Sequence, residues 1–208
     1  MTILDTSVNG YTALPAGKIA AAVVYLEQRE RPAPRPDPAI EGVRLERLGA
    51  ADLDRYLALF ALVGEPWLWF GRRIMARQTL AGILADPAVE ALAVVREGRD
   101  IGLVELDGRG RGERGEEEIE LAYFGLVPEA VGGGLGRWAM NRALERAWAR
   151  GPHRVFVHTC NFDHPHALAF YVRSGFVPYG RAIEIADDPR LLGHLPREAA
   201  AQVPLIEG

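Results

Sequence analysis

The chain has 208 residues, of which 49% are hydrophobic and 25% are charged, a composition typical of soluble globular proteins. A net charge of -4 argues against general binding to nucleic acid or to an anionic membrane surface. A single cysteine excludes an internal disulfide framework, and the sequence shows neither a membrane-spanning run nor a secretory signal, so we expect a cytoplasmic protein.

The N-terminal part differs from the rest. Residues 18–28 form an apolar segment that fits either a strand or a short helix, and four prolines within residues 30–40 exclude a helix there. We expect an N-terminal extension with a proline-rich linker over 1–40, a main domain over 41–185 and a tail over 186–208. Because long apolar segments are seldom left in water, the segment should dock on the domain or on a partner chain, as in a homodimer.

The main domain is predicted to be an α/β fold with a mixed central sheet flanked by helices. This follows from the order of its patterns along the chain. The elements are a strand (42–48), two helices (49–64 and 74–86) around an aromatic loop, two strands (89–107), a glycine-rich charged loop, a strand (119–127), a helix (135–150), a strand (153–160), a helix (164–174) and a final extended piece.

A run of glycines stands immediately before the helix at 135–150. It reads VGGGLG over residues 131–136, and glycines at a helix start let an anion such as phosphate approach the main-chain N–H groups. A P-loop is excluded because Arg137 and Trp138 follow where Lys and Ser/Thr would stand. A Rossmann fingerprint is excluded because Gly132 and Gly134 would require a glycine at position 137.

The stretch LVPEAVGGGLG resembles the pyrophosphate loop of the GCN5-related N-acetyltransferase (GNAT) family, whose pattern is Gln/Arg-x-x-Gly-x-Gly/Ala. Gly134 and Gly136 match its two small positions, and Val131 takes the place of the Gln/Arg. A second stretch, ALAFYVRSGF, resembles the family's Ala-x-x-x-Tyr-x-x-x-Gly-Phe helix. The two motifs in this order imply a GNAT-like fold over roughly residues 42–182.

The resemblance also implies a cofactor and its contacts. Acetyl-CoA would serve as co-substrate, bound mostly by main-chain groups of the loop and of the preceding strand, with His164 in the place of a family asparagine. No metal is expected, because the His, Cys and Asp side chains of residues 158–166 lack a standard ligand spacing. The implied acetyl-CoA contacts are Phe124, Leu126, Val131, Gly132, Gly133, Gly134, Leu135, Gly136 and His164.

Two residues are candidate catalytic groups. Glu120 falls where family members with a carboxylate base carry it, and partial burial between apolar neighbours would raise its pKa toward a useful range. The alternatives are a solvated strand residue, or His158 as the base. Strict strand alternation would place Glu120 and Phe124 on one face and Tyr123 on the other. Tyr171 is the candidate acid that protonates the leaving sulfur, the alternative being a packed helix tyrosine.

Three features near these groups remain open from sequence. Trp67, Trp69 and Phe70 either wall the acceptor pocket, as the resemblance implies, or belong to the core. Cys160 with a histidine could form a nucleophile pair. Asp163 or His164 is expected to cap a helix that opens at Pro165.

The resemblance implies an acetyl-CoA-dependent N-acetyltransferase that acts by direct attack in a ternary complex. We expect a small-molecule amine as the acceptor, and neither nucleic acid nor a membrane as a partner. The alternatives are a non-catalytic acyl-CoA-binding module and a transferase for a longer acyl-CoA.

Overall fold

The computed structural model describes residues 9–33, 35–113 and 115–207, and within these ranges seven strands form one mixed sheet. The predicted first eight residues of the extension lie outside the described part. The strands are β1 Lys18–Gln28, β2 Val43–Leu48, β3 Val89–Arg96, β4 Arg99–Asp107, β5 Glu118–Leu126, β6 Arg154–Cys160 and β7 Val177–Asp187. The helices are α1 Leu53–Gly64, α2 Arg77–Ala85, α3 Leu135–Ala149 and α4 Ala167–Arg173. The predicted α/β class is confirmed.

The sheet order is β2-β3-β4-β5-β6-β1-β7, and β5 with β6 is its parallel pair. β1 is thus a strand inside the sheet, hydrogen-bonded to β6 on one side and to β7 on the other. Of the two readings that the apolar N-terminal segment allowed, the strand is correct. The segment docks on its own chain, and the domain boundary near residue 40 stays a prediction.

The proline-rich linker returns along α3 to the glycine run. The Asn141 amide donates to the Arg35 carbonyl at 2.9 Å and to the Asp37 carboxylate at 2.7 Å. Arg142 pairs with Asp37 at 2.7 Å. A Cβ placed on Gly134 would meet Pro38 at 2.8 Å, so the linker and the glycine run are in contact.

Helices cover both faces of the sheet. On one face α3 presents an apolar stripe, with Met140, Ala143 and Ala147 buried against the sheet core. On the other face Tyr56 and Phe60 of α1 are fully buried over β3 and β4. No helix in the described ranges has the length and apolar character needed to cross a bilayer.

A β-bulge in β5 changes the predicted alternation. Leu106 pairs with Leu121 but Glu105 pairs with Tyr123, which leaves Ala122 as an extra residue. Tyr123 therefore packs with the α1 face, whereas Phe124 packs with the α3 face. The prediction that Tyr123 shares a face with Leu121, and Phe124 with Glu120, is wrong, because one inserted residue reverses the alternation.

The parallel pairing of β5 with β6 is short. It covers Glu118–Glu120 against Arg154–Phe156, and beyond these residues the strands separate. From Leu121 onward β5 pairs with β4 on one edge only. The N–H and C=O groups of its other edge thus face a gap in the middle of the sheet.

The tail after β7 packs back on the domain in a series of turns. Asp188 and Arg190 form a buried ion pair at 2.7 Å, and Arg190 also donates to the Val203 carbonyl at 2.8 Å. Leu195 joins a small apolar cluster with Leu68. The tail therefore packs against the aromatic loop through this cluster of Leu195 and Leu68.

Candidate active site

A cavity of about 890 Å³ occupies the gap between the diverging halves of β5 and β6. Its lining comes from both faces of the sheet. Leu126 and Phe170 belong to the α3 face, and Trp69 and Tyr123 belong to the α1 face. Two ligands that approach from opposite faces of the sheet can therefore meet inside this cavity.

The glycine run forms a tight left-handed turn at one mouth of the cavity. Gly132, Gly133 and Gly134 have φ values of +104°, +55° and +86°, a conformation that only glycine adopts without strain. α3 begins directly after this turn, with Gly134 as its N-cap. No backbone hydrogen bond joins the N–H of Gly136 to another described residue. The turn therefore presents free main-chain donors and the positive end of a helix.

The predicted cofactor contacts divide between the wall and the rim of the cavity. Four predicted residues line the cavity directly and a fifth, His164, does so from the loop after β6. The other four form the turn and the first helical residue beside that wall. The lining residues are Phe124, Leu126, Val131, Gly136 and His164, and the rim residues are Gly132, Gly133, Gly134 and Leu135.

Glu120 and His158 form a hydrogen-bonded pair on the α1 face. The Glu120 carboxylate lies 3.1 Å from His158 Nδ1. His158 lines the cavity, whereas Glu120 is not among the lining residues. A carboxylate only accepts, so Nδ1 carries the proton and Nε2 is left with a free lone pair. The bond to Glu120 raises the pKa of His158 above its usual value, against the effect of burial.

Tyr171 lies in α4 with its ring buried and also lines the cavity. Phe170 and Phe176 contact it with ring centroids 5.8 and 5.9 Å away. Burial, and after it the negative charge of Asp163, raises the pKa of the Tyr171 phenol. The phenol therefore keeps its proton at neutral pH, as a proton donor must.

Asp163 organises the loop between β6 and α4. It accepts hydrogen bonds from Trp69 Nε1 at 3.2 Å, Thr159 Oγ1 at 2.7 Å and the Cys160 N–H at 2.8 Å. The predicted helix start at Pro165 is wrong, because α4 begins at Ala167 with His166 as its N-cap, although His164 Nδ1 does accept the His166 N–H at 3.1 Å. Asp163 instead connects β6 with the aromatic loop.

The ring of His164 faces Trp67 at 5.3 Å between centroids. Burial raises the pKa of the Cys160 thiol, which makes it a poor nucleophile. Among the described residues, no three His, Cys, Asp or Glu side chains converge as a metal ion would need.

The aromatic loop walls the cavity and also packs into the core. Trp67, Trp69 and Phe70 all line the cavity, and Trp69 packs on Tyr123 with ring centroids 5.2 Å apart. Trp69 therefore both lines the cavity and packs against the core, while its contact with an acceptor stays a prediction.

A buried ion pair just after the aromatic loop fixes its end. Arg72 donates to the fully buried carboxylate of Glu105, which also accepts from the Tyr56 hydroxyl. Sequence analysis missed this network. The signal was a glutamate between Val104 and Leu106, in the middle of an apolar strand.

The geometry agrees with a direct comparison with known families. The model of the acetyltransferase (GNAT) family matches residues 56–176, more than half of the 208-residue chain. The chain belongs to the GNAT family. The resemblance inferred from the two motifs is confirmed, and the matched span contains both of them.

Relatives of this GNAT protein match only parts of it. Over 86 residues it is 31% identical to mycothiol acetyltransferase of Jonesia denitrificans, which covers 41% of this chain and 27% of that protein. The chain thus matches about a quarter of the length of that curated relative.

Solved structures confirm the GNAT-like fold. A protein of Novosphingobium aromaticivorans, described as an acetyltransferase of the GNAT family, aligns with a TM-score of 0.54 at 19% identity. The alignment covers 84% of this chain and 68% of that chain. An aminoglycoside acetyltransferase from an uncultured soil metagenomic sample, in complex with sisomicin, aligns with a TM-score of 0.54 at 16% identity over 64% of this chain and 87% of its own. At these identities the likeness concerns the fold.

The matched span of the GNAT family leaves out part of the cavity wall. Ile19 and Ala21 of β1 and Glu184 and Ala186 of β7 all line the cavity, yet they lie outside residues 56–176. The structure brings these four residues into one cavity wall with His158 and Cys160, because β1 pairs with β6 and with β7. Sequence reasoning named none of the four as site residues.

Proposed function

We propose that this GNAT protein transfers an acetyl group from acetyl-CoA to a primary amine by direct attack in a ternary complex. The observation that carries the proposal is the cavity between β5 and β6, which joins the glycine turn to the Glu120–His158 pair. Such a passage lets the acyl donor enter from one face of the sheet and the amine from the other. No covalent intermediate on the protein is then needed.

The glycine turn suits the pyrophosphate of CoA. Space is open around Gly132 and Gly133, where a Cβ would meet no atom within 4 Å, so an anion can reach the main chain. The free N–H groups at the start of α3 supply donors. Val131, Gly136 and His164 would hold the rest of the co-substrate, which supplies an activated thioester carbonyl.

The free edge of β5 would stabilise the charge that develops on the carbonyl oxygen. Main-chain groups near Phe124 and Leu126 face the gap, because β6 has separated from β5 there. Donors fixed by a sheet need no reorganisation during the reaction, which is how backbone N–H groups lower such barriers.

The Glu120–His158 pair would remove the amine proton. An amine arrives largely protonated at neutral pH and attacks only as the neutral form. His158 Nε2 is the accepting atom, and Glu120 holds the ring in that tautomer and stabilises its cationic form. This proposal makes His158 the base, which sequence analysis held as the alternative to Glu120, and Glu120 the residue that positions it.

Tyr171 would protonate the leaving sulfur. Its phenol lines the cavity on the α3 face, the face of the glycine turn, and it is neutral at physiological pH. We extend the proposal to a small-molecule acceptor held by Trp67, Trp69 and Phe70. The expected cytoplasmic location belongs to the same proposal, since the lone Cys160 suits a reducing compartment.

Thiol release from acetyl-CoA in the presence of a panel of small amines tests this function. We expect release that depends on the amine, together with acetylated amine detected by mass spectrometry. CoA binding measured by calorimetry without thiol release would indicate a non-catalytic acyl-CoA-binding module. Release from butyryl-CoA but not from acetyl-CoA would indicate a transferase for longer acyl chains.

A further inference from the structure

We call the part of the cavity lined by β1, the aromatic loop, β6 and β7 the acceptor half. Glu184 places a carboxylate in this half. It lies in β7 opposite Ala21 of β1, and both residues line the cavity together with Ala186. Alternate residues of a strand share a face, so Glu184 and Ala186 project to one side while Ile183, Ile185 and Asp187 project to the other. The small side chains of Ala21 and Ala186 leave room beside the carboxylate.

Among the described residues, none pairs with this carboxylate. No hydrogen bond or ion pair joins Glu184 to another of the described residues, and its side chain is exposed. Asp163, the other carboxylate in the lining, already accepts three hydrogen bonds. On β7 itself the neighbouring acid Asp187 pairs with Lys18 at 2.5 Å. Glu184 is therefore the lining carboxylate that is free to bind a ligand.

The charge of Glu184 reaches the reacting end of the acceptor half. It contributes to the raised pKa of His158, after the larger effects of Glu120 and Asp163. Burial raises the pKa of Tyr123 to about 12, and Glu184 adds a small part of that effect. His158 and Glu184 line the same cavity, so one ligand can contact both the proton acceptor and the free carboxylate.

The remaining walls of this half favour a cation. Trp67, Trp69 and Phe70 present aromatic faces, which attract ammonium groups within about 6 Å of a ring centroid. The lining arginine, Arg173, belongs to α4, which packs on the opposite face of the sheet. The His158 side of the lining contains aromatic rings and the free carboxylate of Glu184. Among the described residues, no arginine or lysine lines this side.

We infer that Glu184 binds a second positive charge of the acceptor, so that the acceptor is a diamine or polyamine rather than a simple monoamine. This inference rests on the proposed amine acetylation. One amine would lose its proton to His158 while the other, still an ammonium group, pairs with Glu184 across the aromatic wall. Glu184 is then a specificity-determining residue supplied by a strand outside the family match.

Calorimetric titration with paired amines tests the inference in the presence of saturating CoA. The pairs are putrescine with n-butylamine and cadaverine with n-pentylamine, and spermidine extends the series. We expect each diamine to bind about tenfold more tightly than its monoamine, the scale of one charge-assisted contact. Glu184→Gln should remove this preference, because the second ammonium group then loses its charged partner.

The matched control is Asp187→Asn, which removes the same charge from the opposite face of the same strand. It should keep the diamine preference. Equal affinity for both members of each pair in the unsubstituted protein, absence of diamine binding, or a preference that survives Glu184→Gln would each overturn the inference. Because binding is measured without turnover, a diamine preference without thiol release would refute the proposed transfer and leave the cation site standing. Thiol release with monoamines and no diamine preference would refute the cation site and leave the proposed transfer standing.

Discussion

The two halves of the cavity are built in different ways. The half that we assign to CoA comes from one stretch of chain, from the end of β5 through the glycine turn to α3 and α4. The acceptor half is assembled from β1, the aromatic loop, β6 and β7, which are far apart in sequence. Short sequence motifs can therefore predict the CoA half, whereas the acceptor half becomes visible only from the sheet topology.

The family match divides in the same way. Residues 56–176 contain the whole CoA half but only part of the acceptor half, since β1 and β7 lie outside them. Membership of the GNAT family is thus informative about the acyl donor and says little about the amine. Five substitutions at four places test whether the two halves act separately.

The largest effect is expected at the Glu120–His158 pair. His158→Gln should lower kcat/KM by about 10²- to 10⁴-fold, the range for general acid–base catalysis, while CoA binding persists. The loss should be greatest at low pH and recover in part at high pH, where neutral amine is abundant. His153→Gln, an exposed histidine beside Arg29, is the control and should have little effect.

Glu120→Gln separates the two candidate bases by the pH profile of kcat/KM. With His158 as the base, activity rises with pH through a His158 pKa that Glu120 keeps above about 6.5. Without that carboxylate the pKa falls, so the rising limb should move to lower pH. If the variant's pH profile has no rising limb, Glu120 itself is the base. If the rising limb stays at the same pH, neither Glu120 nor His158 has the proposed role in proton removal.

The second effect concerns the support of the acceptor half. Arg72→Leu leaves the buried Glu105 carboxylate without its ionic partner, which should lower the free energy of unfolding by about 3–5 kcal/mol. Arg77→Leu removes an exposed pair with Asp54 and should cost at most about 1 kcal/mol. Denaturant titration of both variants gives the comparison, and equal costs would show that the Arg72–Glu105 pair does not stabilise the loop.

The third effect is expected at Tyr171. Tyr171→Phe should lower kcat by roughly a hundredfold, the lower end of the general-acid range, because a thiolate is already a fair leaving group. The dissociation constant of CoA should hardly change. Tyr179→Phe alters an exposed tyrosine and is the control. An unaltered kcat with a good acceptor would leave Tyr171 a packing residue.

The smallest effect is expected in the CoA half. A Cβ at Gly136 would lie at ordinary contact distances from Phe170, 3.6 and 3.8 Å, so Gly136→Ala should fold and gain up to about 1 kcal/mol in helix stability. It should weaken CoA binding by less than about tenfold, because a methyl group enters the lined wall at a position where the family pattern accepts Ala.

Gly82→Ala in α2 is the matched control for this variant. Space around Gly82 is open, so the same gain in stability should come with unchanged CoA affinity. Equal CoA affinity in both variants would remove Gly136 from the binding wall. Gly134 is a poorer site for such a test, since its positive φ and its contact with Pro38 would strain any side chain.

Sequence reasoning predicted the features that depend on neighbours along the chain. The glycine turn and the helix that follows it are examples, because both follow from spacing within about 15 residues, the length of α3. It failed where a distant contact decides. The bulge at Ala122 reversed the faces of Tyr123 and Phe124, and a helical start at Pro165 gave way to a loop held by Asp163.

The acceptor half shows the same limit more clearly. Glu120 was proposed from sequence as a site residue, but its bond to His158 depends on two strands that pair only over their first residues. Glu184 carries no local signal at all, because it is one charged residue on an alternating strand. Its place in the cavity is set by the register of β7 with β1, whose residues are more than 150 positions away.

The position of β1 also sets an order of folding. As the chain leaves the ribosome, β1 emerges first, yet its partner strands lie at 154–160 and 177–187. β1 therefore stays unpaired during synthesis. Meanwhile β2, β3, β4 and α1 can already pack together, because they are close to one another in sequence. We expect the long loop between β1 and its partner strands to close last. The part of the cavity wall formed by β1 and β7 would then be completed only at that step. A protease that cleaves the waiting segment during synthesis would yield a protein that keeps its glycine turn but lacks one side of its acceptor pocket.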